Sequence, residues 1–129
     1  MNRERGSATV VGLLLAAIFG FGLISVGSLA ALYSARVHAG TAADAAALAA
    51  APATYPPAGG LLTPDEEARR YAVLNGAVVK RCVCQVDRTL RPRRVTVIVE
   101  IKVKLPVFGV MGVKAGATSE FDPMLWLGR

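Results

Sequence analysis

The most reactive side chains of this sequence are two cysteines, Cys82 and Cys84, and a single histidine, His38. A structural zinc site needs about four ligands of these types, so the sequence argues against a metal centre. Residues two apart on a strand lie about 6.6 Å from each other with parallel side chains, at the edge of disulfide geometry. We interpret the cysteines as small buried side chains of a strand. A disulfide within the pair, or between chains, is the alternative.

A second cluster that could bind a ligand is a basic turn around Pro92. Its members are Arg88, Arg91, Arg93 and Arg94. They could contact phosphates or an acidic surface, but no aromatic residue alternates with them, as stacking on single-stranded nucleic acid would favour. We therefore interpret the cluster as a solvated turn, with nucleic-acid binding as the alternative.

No arrangement of residues in the sequence points to catalysis. There is no nucleophile motif, no glycine-rich phosphate loop and no carboxylate pair whose spacing supports acid–base chemistry. The sequence therefore predicts neither an enzyme nor a cofactor site, and it indicates no small-molecule substrate.

The elements that carry these residues begin with a long apolar helix. Positions 6–35, a run of 30, contain no charged residue, and about 20 helical residues suffice to cross a bilayer. The alanine-rich stretch that follows favours the same helix as far as Pro52. The prediction is one helix over 7–51, 45 residues and on the order of 67 Å long. A signal peptide cleaved near Ala30 or Ala35 is the alternative.

The flanks of this span predict its orientation. Arg3 and Arg5 lie in a short tail, 1–6, and the long remainder follows Arg36. A short basic tail is readily held inside while a long one is exported, so we expect a cytoplasmic N-terminus and an extracytoplasmic C-terminal domain. Residues 37–129 hold 12 Lys and Arg against 8 Asp and Glu, a net charge of +4, which is too small to define a partner.

Small residues recur at every fourth position of the helix. The row comprises Ala8, Gly12, Ala16 and Gly20, and then, one position out of step, Gly27, Ala31 and every fourth alanine as far as Ala51. Small residues at this spacing let helix backbones approach closely inside a membrane. The pattern predicts packing against other membrane subunits. An alanine-rich composition that produces such rows by chance is the alternative.

A linker over 52–62, containing PATYPPAGG, separates this helix from a small domain over 63–129. Thr63, Pro64 and Glu66 have the spacing of a capping box, and Asn75-Gly76 is a natural stop. These signals predict a helix of about 11 residues. Ala68, Tyr71 and Ala72 would form its apolar stripe.

Beyond this helix the hydrophobic period becomes two, which predicts strands. The first would put Val78, Cys82, Cys84 and Val86 on one face. The clearest is RVTVIVEIKVKL, in which apolar residues alternate as far as Pro106. A loose apolar loop flanked by Gly109 and Gly112 would lead into a third strand over 113–121. The predicted fold is α+β: a small antiparallel sheet, with the protruding half of the long helix supplying its cover.

The order of these pieces resembles a known family. RERGSATVVGLLL followed by RVHAGTAADAAALAAA, and later ARRYAVLNGAVVKRCVCQVD and RVTVIVEIKVKL, resemble the TadE-like minor pilins and pseudopilins of tight-adherence (Flp-type) pilus loci. The sequence looks closest to the short TadE-like proteins of high-GC Gram-positive bacteria. The resemblance implies a pilin-like fold and a subunit of a type IV pilus-related machine. Such a subunit is held in the bilayer by its N-terminal helix and bundles with other pilin or pilus-assembly membrane subunits.

The resemblance also implies a candidate leader site. A prepilin leader in the wider family ends at a glycine, and the fifth residue of the mature chain is glutamate. Gly6 is the best match to that glycine and Ser7 to the first mature residue, but the fifth position is then Val11.

The predicted function is a TadE-like minor pilin or pseudopilin acting in assembly of a Tad/Flp-type pilus or secretion apparatus. Two alternatives belong to other classes. One is a membrane-anchored or secreted extracytoplasmic structural module with no pilus role, and the other is a DNA-binding minor pilin of an uptake system.

Overall fold

The computed structural model describes residues 4–128. The elements in chain order are α1 (Glu4–Ala53), α2 (Pro64–Leu74), β1 (Val78–Val83), β2 (Arg93–Leu105), β3 (Gly109–Phe121) and the single turn α3 (Pro123–Trp126). The strands form one antiparallel sheet in the order β1-β2-β3. The predicted α+β fold, a long N-terminal helix followed by a short helix and a small antiparallel sheet, is confirmed.

The long helix α1 is continuous over 50 residues. Its most apolar window of 18 residues has a mean hydropathy of 2.4 and is 0% buried, so by length and composition this part can cross a membrane. The helix extends past both predicted bounds. It begins at Glu4, whereas residues 1–3 of the predicted tail lie outside the described part of the chain. It ends at Ala53, with Pro52 in its last turn. Because proline has no backbone N–H, the helix lacks one hydrogen bond there, close to its end.

The C-terminal third of α1 covers one face of the sheet almost entirely with alanine. The alanines that are 0 or 1% exposed are Ala39, Ala42, Ala43, Ala46, Ala47 and Ala50. Val95, Val97 and Val99 of β2 belong to the same core and are each 0% exposed. Because alanine projects only a methyl group, the helix can pack closely on the strands without large side chains between them. The predicted cover of the sheet by α1 is confirmed.

The short helix α2 has the predicted cap. The backbone N–H of Thr63 donates to Glu66 Oε2 at 2.7 Å, and the backbone N–H of Glu66 donates to Thr63 Oγ1 at 3.3 Å. The bonds from the backbone and hydroxyl of Thr63 lower the pKa of the Glu66 carboxyl. Ala68 and Ala72 are buried as predicted, but Tyr71 is 40% exposed and lies beside the guanidinium of Arg70.

The first strand differs from its prediction because it contains a β-bulge. The pairing of β1 with β2 shifts register between Val79 and Arg81, so Lys80 is the extra residue. Before the bulge the buried side chain is Val79, whereas Val78 is 57% exposed. After it, Cys82 packs against the core. Cys84 and Val86 follow the end of the strand.

The β2–β3 hairpin is tighter than the sequence predicts. The predicted loose loop as far as Gly112 does not form, because residues 109–112 already belong to β3, which pairs with β2 from Leu105 and Gly109 onward. Three residues, 106–108, make the turn. Gly109 has φ +71, a left-handed conformation that glycine adopts without strain, and this allows the third strand to start four residues early.

The alanine face of α1 predicts an asymmetric response to added bulk. Ala46→Leu places three further carbon atoms in a fully buried contact, which should destabilise the domain by about 2 kcal/mol. Thr41→Leu adds a leucine to the exposed side of the same helix and should change stability by less than about 0.5 kcal/mol. Thermal unfolding of the two detergent-solubilised variants measures the difference. Equal melting temperatures would contradict the packing described.

Candidate assembly helix and its flanking contacts

The apolar part of α1 lies outside the core of the domain, and the turn between β2 and β3 approaches it near Ile24 and Ser28. Residues 7–27 are all exposed. A methyl group added at Gly12, Gly20 or Gly27 would meet no atom within 4 Å. These glycines therefore do not pack against another part of the chain, and the surface they form is open to lipid or to other helices.

The predicted helix-packing residues are spread over about 140° of the circumference of α1, and four of them lie closer together. At 3.6 residues per turn, a step of four residues rotates a position by about 40°. Ala16, Gly20, Gly27 and Ala31 consequently fall within about 60° of one another, whereas Ala8 and Gly12 lie farther round the helix. Ala31 is half-buried, and the other five residues are exposed. The geometry narrows the candidate surface to the four that cluster.

The same row of small residues has a different role beyond Ala31. Ala35, Ala39, Ala43, Ala47 and Ala51 are all 7% exposed or less. Ala43, Ala47 and Ala51 belong to the core formed with the sheet and α2. The prediction that the row packs against other subunits is therefore wrong for this part, because the chain's own domain already covers these alanines.

The candidate leader bond lies inside α1. Gly6 and Ser7 are in its first turns, since the helix begins at Glu4. Cleavage between Gly6 and Ser7 stays a prediction.

Cys82 and Cys84 are closer together than a regular strand allows. Their Cα atoms lie 5.4 Å apart, because Cys84 leaves the strand after Val83. This separation is within the range of disulfides, the structure joins the two sulfurs, and both residues are half-buried at the edge of the core. The geometry fits the disulfide within the pair that the sequence left as an alternative. Among the described residues, no group of three or more His, Cys, Asp or Glu could hold a metal.

The prediction of a solvated arginine turn is wrong for Arg93. Its guanidinium donates to the carbonyl oxygen of Thr54 at 3.2 Å, and also to those of Asp87 and Thr89. It lies 5.6 Å from the centre of the Tyr55 ring. Thr54 and Tyr55 directly follow α1, so this one side chain ties the end of the long helix to the loop before β2. The planar guanidinium with its five N–H donors suits several carbonyls at once.

The remaining positive charge of the turn is partly neutralised. Arg94 lies 3.4 Å from Glu120 in an exposed ion pair. The backbone N–H and hydroxyl of Thr89 donate to the Asp87 carboxylate, and these bonds, with the nearby charges of Arg93 and Arg91, lower the pKa of Asp87. An ionised Asp87 within the turn reduces its attraction for phosphate.

Among the described residues, one helix is long and apolar enough to cross a membrane, and it leads into a small α+β domain. A single-span membrane anchor would have this arrangement. Residues 6–53 match the family model described as Putative Flp pilus-assembly TadE/G-like. The match confirms the resemblance over the long helix, while the likeness to proteins of high-GC Gram-positive bacteria stays a prediction. Comparisons with curated proteins and with solved structures gave no match.

The contacts of Arg93 predict that lysine cannot replace it. A lysine ammonium keeps the charge but cannot hold three separated carbonyls in the guanidinium plane, so Arg93→Lys should lower the free energy of unfolding by about 2 kcal/mol. Arg94→Lys changes an exposed ion pair and should cost less than about 0.5 kcal/mol. Urea unfolding followed by Trp126 fluorescence compares them, since Trp126 packs edge-on against Tyr55. An equally small effect at both positions would mean that Arg93 is solvated.

Proposed function

We propose that this protein is a minor pilin or pseudopilin that takes part in assembling an Flp-type pilus or a related secretion apparatus. The observation that carries the proposal is the match of residues 6–53 to a pilus-assembly family. The matched segment is the long helix, and its apolar part is exposed along its length. An anchor that only held the domain at a membrane would not need a family-specific helix.

The helix acts in assembly through close packing inside the bilayer. Lipid tails are as apolar as leucine, so the hydrophobic effect does not draw helices together there, and small side chains that let backbones approach take its place. Ala16, Gly20, Gly27 and Ala31 form such a surface. Its centre lies about a quarter turn from Ser28, which is 8% exposed, so a neighbouring helix can bind at Ala16, Gly20 and Gly27 without displacing the domain.

The domain is presented outside the membrane in this proposal. The N-terminus is cytoplasmic, and the alanine face of α1 holds the sheet beyond the end of the span. An intrachain Cys82–Cys84 disulfide suits this location, because disulfides persist in oxidising compartments.

Substitutions on opposite sides of the span test the proposal. Gly20→Leu adds bulk to the clustered surface. Gly22→Leu makes the same change about 200° round the helix, and an added Cβ meets no atom of the chain at either position. In a strain that lacks the native protein, Gly22→Leu should restore pilus formation and cross-linking to pilus subunits, whereas Gly20→Leu should lower both several-fold at equal membrane levels.

Two results would contradict the proposal. Normal piliation without the protein would remove its pilus role and leave a membrane-anchored structural module. Equal complementation by the two leucine variants would mean that the small residues reflect composition and that the helix is only an anchor.

A further inference from the structure

We propose that the β2–β3 hairpin is a second membrane contact. Its tip, defined as residues 106–111, inserts into the bilayer leaflet on the domain side. Lys102 and Lys104, at the upper end of the tip, bind anionic lipid phosphates. The inference rests on α1 crossing the membrane and is independent of the pilus role.

The hairpin runs back along α1 towards the span. Lys102 and Lys104 share a cleft with Ala31, Ala35 and His38 of the helix. The tip lies farther along, where Val107 and Phe108 line a cavity of about 340 Å³ together with Ile24, Ser28 and Leu29. Ser28 is seven residues inside the end of the uncharged run at Ala35, a distance of about 10 Å along the helix axis. The tip is therefore beside helix residues that a bilayer would surround.

The exposed side chains of the tip are apolar. Val107, Phe108 and Val110 are 65%, 69% and 64% exposed, and Met111 is 43% exposed. A contiguous apolar surface of this kind marks a contact with another apolar phase. Its position next to the exposed apolar side of α1 makes the two surfaces continuous, and one bilayer can cover both.

The backbone of the tip is suited to a shallow position in lipid. Polar backbone groups must find partners in hydrocarbon. Strand pairing continues down to Leu105 and Gly109, so the inward-facing backbone groups of both strands are paired, and Pro106 in the turn has no N–H to satisfy. β3 is an edge strand, and β1 pairs with β2 only between Thr96 and Glu100. The outward-facing backbone groups of the tip therefore need polar partners, which limits insertion to the boundary between headgroups and acyl chains.

The hairpin changes from an apolar tip to a positively charged segment near the level expected for the bilayer surface. Residues 101–119 contain three lysines, Lys102, Lys104 and Lys114, and no acidic residue. Lys102 and Lys104 are exposed. Lys104 pairs with Val110 and Lys102 with Gly112, so Lys104 is level with the upper end of the tip and Lys102 lies just above it. Arg36, the first charge after the span, lies on the adjoining helix. Lysines at this height attract anionic headgroups while the apolar tip enters the acyl region. The apolar tip lies beside the apolar segment of α1, and the lysines lie near the end of that segment. Binding to a protein would not require the two to match in this way, whereas binding to a bilayer does, so we assign lipid as the occupant.

Tryptophan quenching in vesicles tests the proposal with the full-length protein. Phe108→Trp in a Trp126→Phe background places the only tryptophan at the tip. In vesicles of equal amounts of phosphatidylglycerol and phosphatidylcholine, lipids brominated on their acyl chains should quench this tryptophan strongly, and aqueous iodide should quench it weakly. The native protein is the control, because Trp126 packs against Tyr55 beyond the far end of α1. It should show the reverse order.

The lysines are tested in the same assay. Lys102→Gln with Lys104→Gln should reduce bromine quenching of the tip reporter in the anionic vesicles, since each lysine changes the ratio of inserted to withdrawn tip by about fivefold. Arg69→Gln, which removes a positive charge from exposed α2, should leave quenching unchanged.

Two outcomes would overturn the proposal. A tip tryptophan that iodide reaches and bromine does not would mean that the hairpin stays in water. A tip tryptophan shielded from both quenchers would mean that protein, such as a second copy of this chain, covers it. Val107→Trp in the same background repeats the measurement at a neighbouring side chain.

Discussion

The contact between the alanine face of α1 and the valines of β2 is the interaction on which the rest of the structure depends. A three-stranded sheet is not stable with both faces in water, and the outer face here is polar, with the Thr96–Thr118 hydroxyl pair and the Lys80–Glu100 ion pair. Only the inner face can bury apolar area, and α1 is the element that covers most of it. The domain therefore has no core without the helix that also forms the apolar segment.

This shared use of one helix fixes the domain relative to the span. Buried alanines begin at Ala35, where the uncharged run ends. Over 7–27 the helix surface is exposed and open to lipid or other helices. The hairpin lies along one side of the helix between Ser28 and Ala35, and beyond Ala35 the surface belongs to the domain. Arg93 adds a second attachment at the far end through Thr54. With both attachments in place, the position of the hairpin beside the span follows from the fold and does not depend on a flexible linker.

Features set by neighbouring residues could be predicted from the sequence. The capping box at Thr63 and Glu66 and the alternation along β2 are local, and both are confirmed. The bulge at Lys80 interrupts the alternation of β1, so the prediction that Val78 shares a face with Cys82 is wrong. The contacts of Arg93 with Thr54 could not be predicted, because they join residues 39 apart. The row of small residues has the same sequence pattern before and after Ala35. Only the position of the sheet shows that the residues before it are open to other helices and that those after it are buried in the domain.

The span and the domain share one continuous helix, α1. Spin labels introduced at Leu23 and Leu48, which are 75% and 65% exposed, test it directly in lipid nanodiscs with Cys82 and Cys84 replaced by serine. Twenty-five helical residues separate the sites, so the backbone separation is about 37 Å, and double electron–electron resonance should give one narrow distribution near that value. A broad distribution reaching much shorter distances would show a hinge between the span and the domain and would contradict a continuous, rigid α1.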